Sequence, residues 1–157
     1  MSAELVFKMG EYSATFPTDR MYAKNHMWAQ RQSTGALRFG LSSYAVRLLQ
    51  DVYFLDLVVE RGMVLSARQE IGSIESKKAE SSLYSPMAGT VTALNDALLQ
   101  DPTGINLDKY GLGWMFELQT ELAPEAQLPL FEPPQYMEHL KTAWEVAQRT
   151  IKGQANA

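Results

Sequence analysis

Ile71–Val91 reads IGSIESKKAESSLYSPMAGTV. Two runs with strand character, roughly Glu70–Glu75 and Ala79–Tyr84, flank a short polar break at Ser76-Lys77-Lys78. Ser85-Pro86-Met87-Ala88-Gly89 follows as a turn signal, because proline pre-sets φ and glycine tolerates positive φ. The stretch therefore predicts a hairpin with lysine at its tip, a turn, and a return strand from Thr90. The ordinary reading of such a lysine is a solvated charge that blunts a sheet edge.

Working outward, the chain of 157 residues fits one domain with its own core. It is 46% hydrophobic and 20% charged, ordinary for a globular protein. A net charge of −4 argues against a general nucleic-acid binder, whose affinity comes from basic patches. The absence of cysteine excludes disulfides, cysteine metal sites and a cysteine nucleophile. No apolar run approaches the roughly 20 residues needed to span a bilayer. Residues 1–16 lack the basic and apolar regions of a signal peptide. A cytoplasmic protein is the expectation, with neither membrane nor nucleic acid as partner.

Residues 1–21 are poorly patterned and read as an N-terminal extension with one short strand at most. Tyr22–Arg31 reads as a strand, Gln32-Ser33-Thr34-Gly35 as a hairpin turn, and Ala36–Leu41 as its return. Ser42 or Ser43 should cap a short helix ending near Gln50. Val52–Leu55 and Leu57–Val59 look like a buried strand broken by Asp56. Asn95 should cap a helix through Gln100, and Trp114–Leu118 should be the last core strand. Ala123–Pro134 is Pro-rich and reads as a linker. Gln135–Gly153 is then an amphipathic helix whose stripe is Met137, Leu140, Trp144, Ala147 and Ile151. It reads as a helix docked on the body or, alternatively, as a docking helix for a partner. Gln154–Ala157 reads as a frayed end. Many short strands with frequent turns predict a mainly β barrel or sandwich, with residues 22–122 as the body and 123–157 as linker and helix.

The central stretch also resembles the lipoylation segment of the glycine-cleavage H-protein family. Glu75-Ser76-Lys77-Lys78-Ala79, Tyr84-Ser85-Pro86 and Ala88-Gly89 carry that resemblance, which places the family's modified lysine on Lys78. Upstream, Tyr22–Trp28 resembles Y-x-x-x-H-E-W and Gly40–Ala45 resembles G-I-T-x-x-A. Downstream, Leu94-Asn95, Ile105-Asn106 and Tyr110–Trp114 resemble V-N, L-(I/V)-N and Y-G-x-G-W. The resemblance implies a lipoyl/biotinyl-type flattened β-barrel, a barrel-sandwich hybrid, with short flanking helices and a C-terminal helix. It implies a non-catalytic carrier with lipoate amide-linked to Lys78, a swinging arm that moves intermediates between partner enzymes. Lipoate ligase or lipoyl synthase would load it, and dihydrolipoamide dehydrogenase is a further partner that the family suggests.

No metal-ligand cluster and no nucleophile–base pair is visible in the sequence. His26 reads as a structural or cleft residue; His139 lies far away in sequence and differs in character. Glu75, Ala79 and Glu80 flank the lysine and are candidates for recognition by the modifying enzyme. His26, Met27 and Ser82 are candidates for the cleft that shelters the arm. Two departures bear on the cargo. Family members hold a cationic aminomethyl group with acidic residues, and those positions here are Met27 and Ser82. An unpaired buried ion is costly. This pattern looks most like the H-like lipoate-binding proteins of heterodisulfide-reductase-like bacterial sulfur oxidation, so that complex is the expected partner. The alternative is glycine cleavage with its own enzymes, and a third reading is an unlipoylated interaction module.

Overall fold

The computed structural model describes residues 3–123 and 125–155, with 150–155 as backbone alone. Two sheets enclose the main core. The larger holds six strands in the order β3 (Met21–Tyr22), β4 (Met27–Arg31), β5 (Leu37–Leu41), β11 (Trp114–Gln119), β10 (Gly89–Leu94) and β7 (Val64–Leu65). The smaller holds β6 (Val52–Leu57), β8 (Glu70–Ser76) and β9 (Glu80–Tyr84), with β8 in the centre. All pairings are antiparallel. Strand alternation sends Ile74 and Leu83 of the small sheet inward, and the irregularity between Glu70 and Gly72 adds Ile71, to share one apolar cluster with Ala29, Phe39, Val91, Phe116 and Leu118 of the large one. This is the expected mainly β, barrel-sandwich architecture.

Short helices close the ends. Helix α1 (Ser43–Leu49) follows Ser42, whose hydroxyl does not cap it. Helix α2 (Asp96–Gln100) is capped as expected by Asn95, whose side chain accepts from the Leu98 amide. A one-turn helix, α3 (Gly104–Leu107), occupies residues that the sequence reading leaves unassigned.

Several expectations need correction. Residues 4–17 form a hairpin of two strands, β1 (Glu4–Met9) and β2 (Tyr12–Pro17). Its alternation is carried by Leu5, Phe7 and Met9 against Tyr12, Ala14 and Phe16, and Gly10 at φ +67° opens the turn. Tyr22–Arg31 is two strands, because residues 23–26 reverse the chain with His26 at φ +71°. β6 runs unbroken through Asp56. As an edge strand with a bulge between Val52 and Phe54, it leaves Tyr53 and Phe54 exposed at 62% and 43%. The Pro-rich stretch is a strap: Leu128 and Leu130 enter the core, and Phe131 exchanges backbone hydrogen bonds with Tyr22 at 2.9 and 2.7 Å.

Helix α4 (Pro133–Ala155) starts two residues earlier and ends two later than expected. Proline at its first position wastes no amide, and the Gln135 side chain accepts from the Glu132 amide. Its most buried residues are Tyr136 and Leu140, and the first of these lies outside the expected stripe. The side chain of Ile151 and residues 156–157 fall outside the described residues. The helix docks on the body in a second core, where Tyr136 stacks on Tyr22 at 4.6 Å and Phe16 meets both rings edge-on.

Gly72, in the centre of β8, is the tightest point of the small sheet, since a Cβ there would collide with the Asp56 carbonyl oxygen. Gly72→Ala should therefore destabilise the fold by about 1–3 kcal/mol. Chemical denaturation against the parent, where an unchanged midpoint would contradict this packing, provides the check.

Candidate functional site

The β8–β9 hairpin ends at Ser76, where the ladder gives way to a tight loop. The Ser76 hydroxyl donates to the Ala79 carbonyl at 3.1 Å and accepts from the Ala79 amide at 3.1 Å and the Lys78 amide at 3.3 Å. The Ser76 amide donates to the same carbonyl at 2.9 Å. Ser76 is itself buried, so its hydroxyl works where water cannot compete well.

Lys77 and Lys78 are both exposed, yet their backbones differ. The Lys77 amide is tied to the Asp51 carbonyl at 2.8 Å, at the start of β6. That carbonyl sits in a turn clamped by Asn106, which accepts from the Val52 amide at 2.8 Å and donates to the Gln50 carbonyl at 2.7 Å. Among the described residues Lys78 has only the longer bond to Ser76, and it forms the free apex. The sequence reading names neither Ser76 nor Asn106 for these roles. Both lie in quoted motif blocks, and the only other signal was a short polar residue beside a turn.

The flanking candidates fall into register. Glu75 pairs directly with Glu80 on the last rung, and Phe54 completes the row on the other side of Glu75. Like charges in directly opposed positions repel. Glu80 and Ala79 are exposed, whereas Glu75 is half-buried.

Between this hairpin and α1 lies a cleft of about 190 Å³ whose wall includes His26, Met27, Leu49, Ser82 and Tyr84. The structure thus brings His26, Met27 and Ser82 together. None of the lining residues is Asp, Glu, Lys or Arg. His26 is neutral: burial, aided by the nearby His139, pushes its pKa down to about 4. The two histidines, far apart in sequence, meet because α4 lays His139 against His26 with ring centroids 5.6 Å apart. His26 Nδ1 lies 2.8 Å from the Tyr136 hydroxyl, which is also 3.0 Å from the Ser42 hydroxyl. Burial raises the Tyr136 pKa, so this phenol keeps its proton. Ser42 is thereby engaged with α4 instead of capping α1. Among the described residues no group of three or more His, Asp or Glu could hold a metal ion. No described helix is long and apolar enough to cross a membrane.

The glycine cleavage H-protein family model matches residues 20–143. A glycine cleavage system H protein of Stenotrophomonas maltophilia is 38% identical over 125 residues, covering 80% of this chain and 94% of that protein. Glycine cleavage system H protein 2 of Pseudomonas aeruginosa is 41% identical over 106 residues, covering 68% and 81%. The crystal structure of a glycine cleavage system H protein from Mycobacterium marinum superposes with a TM-score of 0.68 at 32% identity, covering 80% of this chain and 99% of that one. The β1–β2 hairpin and the end of α4 lie outside the residues that the family model matches.

The histidine carries a pH prediction. Its folded pKa of about 4 lies below the ordinary 6.5, so the unfolded chain binds the proton more readily between those values. Its contribution is intact above pH 6.5 and is lost as pH falls towards 4, by about 3 kcal/mol in all. Denaturation at pH 7 and pH 4.5 should show this loss. His26→Gln should flatten that limb, and an NMR titration of the ring midway near pH 6.5 would contradict the assignment.

Proposed function

Because the chain belongs to the glycine cleavage H-protein family, we propose that Lys78 is its lipoylated residue and that it carries intermediates between the enzymes of glycine cleavage. Glycine cleavage H proteins are non-catalytic carriers with lipoate covalently attached to a lysine. The observation that carries the assignment to Lys78 is the apex: its neighbour Lys77 is anchored through Asp51, while Lys78 projects from a loop closed by Ser76. The chain's residues fit the group, since an exposed lysine sits beside a cleft able to receive a folded-back arm.

When attached, the lipoyl group supplies dithiolane redox and group-transfer chemistry. The protein's part is to present and shelter. The ladder beneath Ser76 fixes where the arm starts, so a modifying enzyme meets one lysine in one geometry. Glu75, Ala79 and Glu80 surround that lysine and are our candidates for recognition by lipoate ligase or lipoyl synthase. Met27 and His26 give the cleft a dry, neutral wall, and Ser82 lies at its hairpin side. We assign carriage to residues 22–122; 1–21 and 123–157 brace that body.

The names of the relatives support glycine cleavage over the sulfur-oxidation role preferred from the sequence, for which they offer nothing. One observation keeps sulfur cargo as a second reading. A cleft without a carboxylate gives a cationic amine no partner, whereas a neutral sulfur cargo needs none.

Two experiments test these assignments. After co-expression with a lipoate ligase, Lys78→Arg should carry no lipoate by mass spectrometry and Lys77→Arg should carry it in full. Lipoate on Lys77 would overturn the assignment. At equal lipoylation the parent should turn over glycine with glycine decarboxylase within tenfold of an established H protein. A rate below a hundredth of that control, improved by Met27→Glu with Ser82→Asp, would hand the cargo to the sulfur reading.

A further inference from the structure

A second and larger depression, about 610 Å³, opens on the other side of the arm hairpin's base. Lys24 and Arg68 line it, over a floor that includes Ala67, Tyr84, Pro86 and Pro129. It adjoins the arm cleft. Asn25 and Tyr84 line both, and the Asn25 side chain donates to the Tyr84 carbonyl at 2.9 Å along their shared wall.

Three observations bear on this groove. No Asp or Glu lines it, although the chain has a net charge of −4. Among the described residues neither the Lys24 ammonium nor the Arg68 guanidinium has an ion-pair or hydrogen-bond partner, as is also true of Lys8, Arg61, Lys77, Lys78 and Lys109, so both charges in the groove are open to a ligand. Arg68 also sits at φ +67°, a left-handed conformation that glycine adopts without cost. Its backbone is locked there: the Arg68 amide donates to the Ser85 carbonyl at 2.9 Å, and the Ser85 amide to the Gln69 carbonyl at 2.8 Å. A strained position that keeps a long cationic side chain points to a use for that side chain.

We propose that this groove docks an acidic segment of the enzyme that services the arm, an extended peptide with carboxylates for Lys24 and Arg68 and an apolar side chain for the Tyr84–Pro86–Pro129 floor. A small anion would leave most of the volume empty, since a water molecule takes about 30 Å³. The position beside the arm lets docking bring the partner's active site to the cleft mouth, and the charge pairing would act mainly on encounter rate and register. The partner's identity as a glycine cleavage enzyme rests on the reading given above; the groove's preference for acidic peptide does not.

The test uses the lipoylated protein, followed by 15N NMR, titrated with a blocked Glu-Leu-Glu-Phe-Glu peptide and with its Lys-Leu-Lys-Phe-Lys counterpart. Saturable shifts centred on Lys24, Asn25 and Arg68 are expected with the acidic peptide alone. Affinity should fall at least fivefold in Lys24→Ala with Arg68→Ala. Arg68→Gly should bind as weakly while melting no lower than the parent, which separates use of the side chain from fold maintenance. Dispersed or unsaturable shifts, equal shifts with the lysine peptide, or unchanged affinity in the double variant would overturn the proposal. In a second arm, Lys24→Glu with Arg68→Glu should raise the decarboxylase KM for the carrier about tenfold at low salt with kcat unchanged, and an unchanged KM would overturn it. A parent that fails to turn over at all strikes the glycine-cleavage reading, and the peptide titration then decides the groove.

Discussion

An antiparallel ladder has to end, and the way it ends decides what the last loop can present. Here one buried hydroxyl on Ser76 bonds to three backbone groups of the loop that follows. The ladder therefore stays ordered to its final rung, with the apex residue standing clear of it. Beneath it, β8 lies between β6 and β9, so the hairpin's first strand is paired along both edges and its second, β9, along one. The Asn106 clamp extends that bracing from α3 to the start of β6. A single lysine projected from such a base has little freedom in its backbone and full freedom in its side chain, which is what a swinging arm requires.

The second core adds a different kind of support. The β1–β2 hairpin and α4 sandwich Tyr22, Trp28 and Tyr44 from outside the large sheet. Through Tyr136 this layer reaches Ser42 and His26, so the wall of the cleft between β9 and α1 is held from behind by the C-terminal helix. The energetic interest lies in the histidine. A buried neutral imidazole is stabilising only while it stays neutral, and burial, with His139 beside it, favours that state.

Much of this was legible in the sequence, and most of the failures share a cause. The lysine hairpin, the Asn95 cap and the place of most strands along the body follow from local signals and motif blocks. Residues 4–17 hide their alternation because the exposed Val6, between Leu5 and Phe7, makes an apolar run of what is an alternating strand. β6 looked buried because Tyr53 and Phe54 are aromatic, yet an edge position with a bulge turns both outward. Tyr136 fell outside the stripe because its contacts are rings and hydroxyls of β2, β3 and Ser42, which helical periodicity does not register. His26 and His139 meet only through the docking of α4. Apart from the local β1–β2 hairpin, each miss concerns a partner distant in sequence, where tertiary context overrides local preference.

The opposed pair Glu75–Glu80 has an electrostatic consequence. Two carboxylates on the last rung face two ammonium groups in the loop, so the unmodified tip is balanced as a unit. Acylating Lys78 removes one of the positive charges and leaves both carboxylates in place. The tip then becomes net negative, within the roughly 8 Å over which charges are felt at physiological salt. The hairpin would thus announce whether it is loaded through its own field, before any partner touches the cofactor. Unmodified and acylated forms differ to an approaching enzyme in net charge as well as in shape.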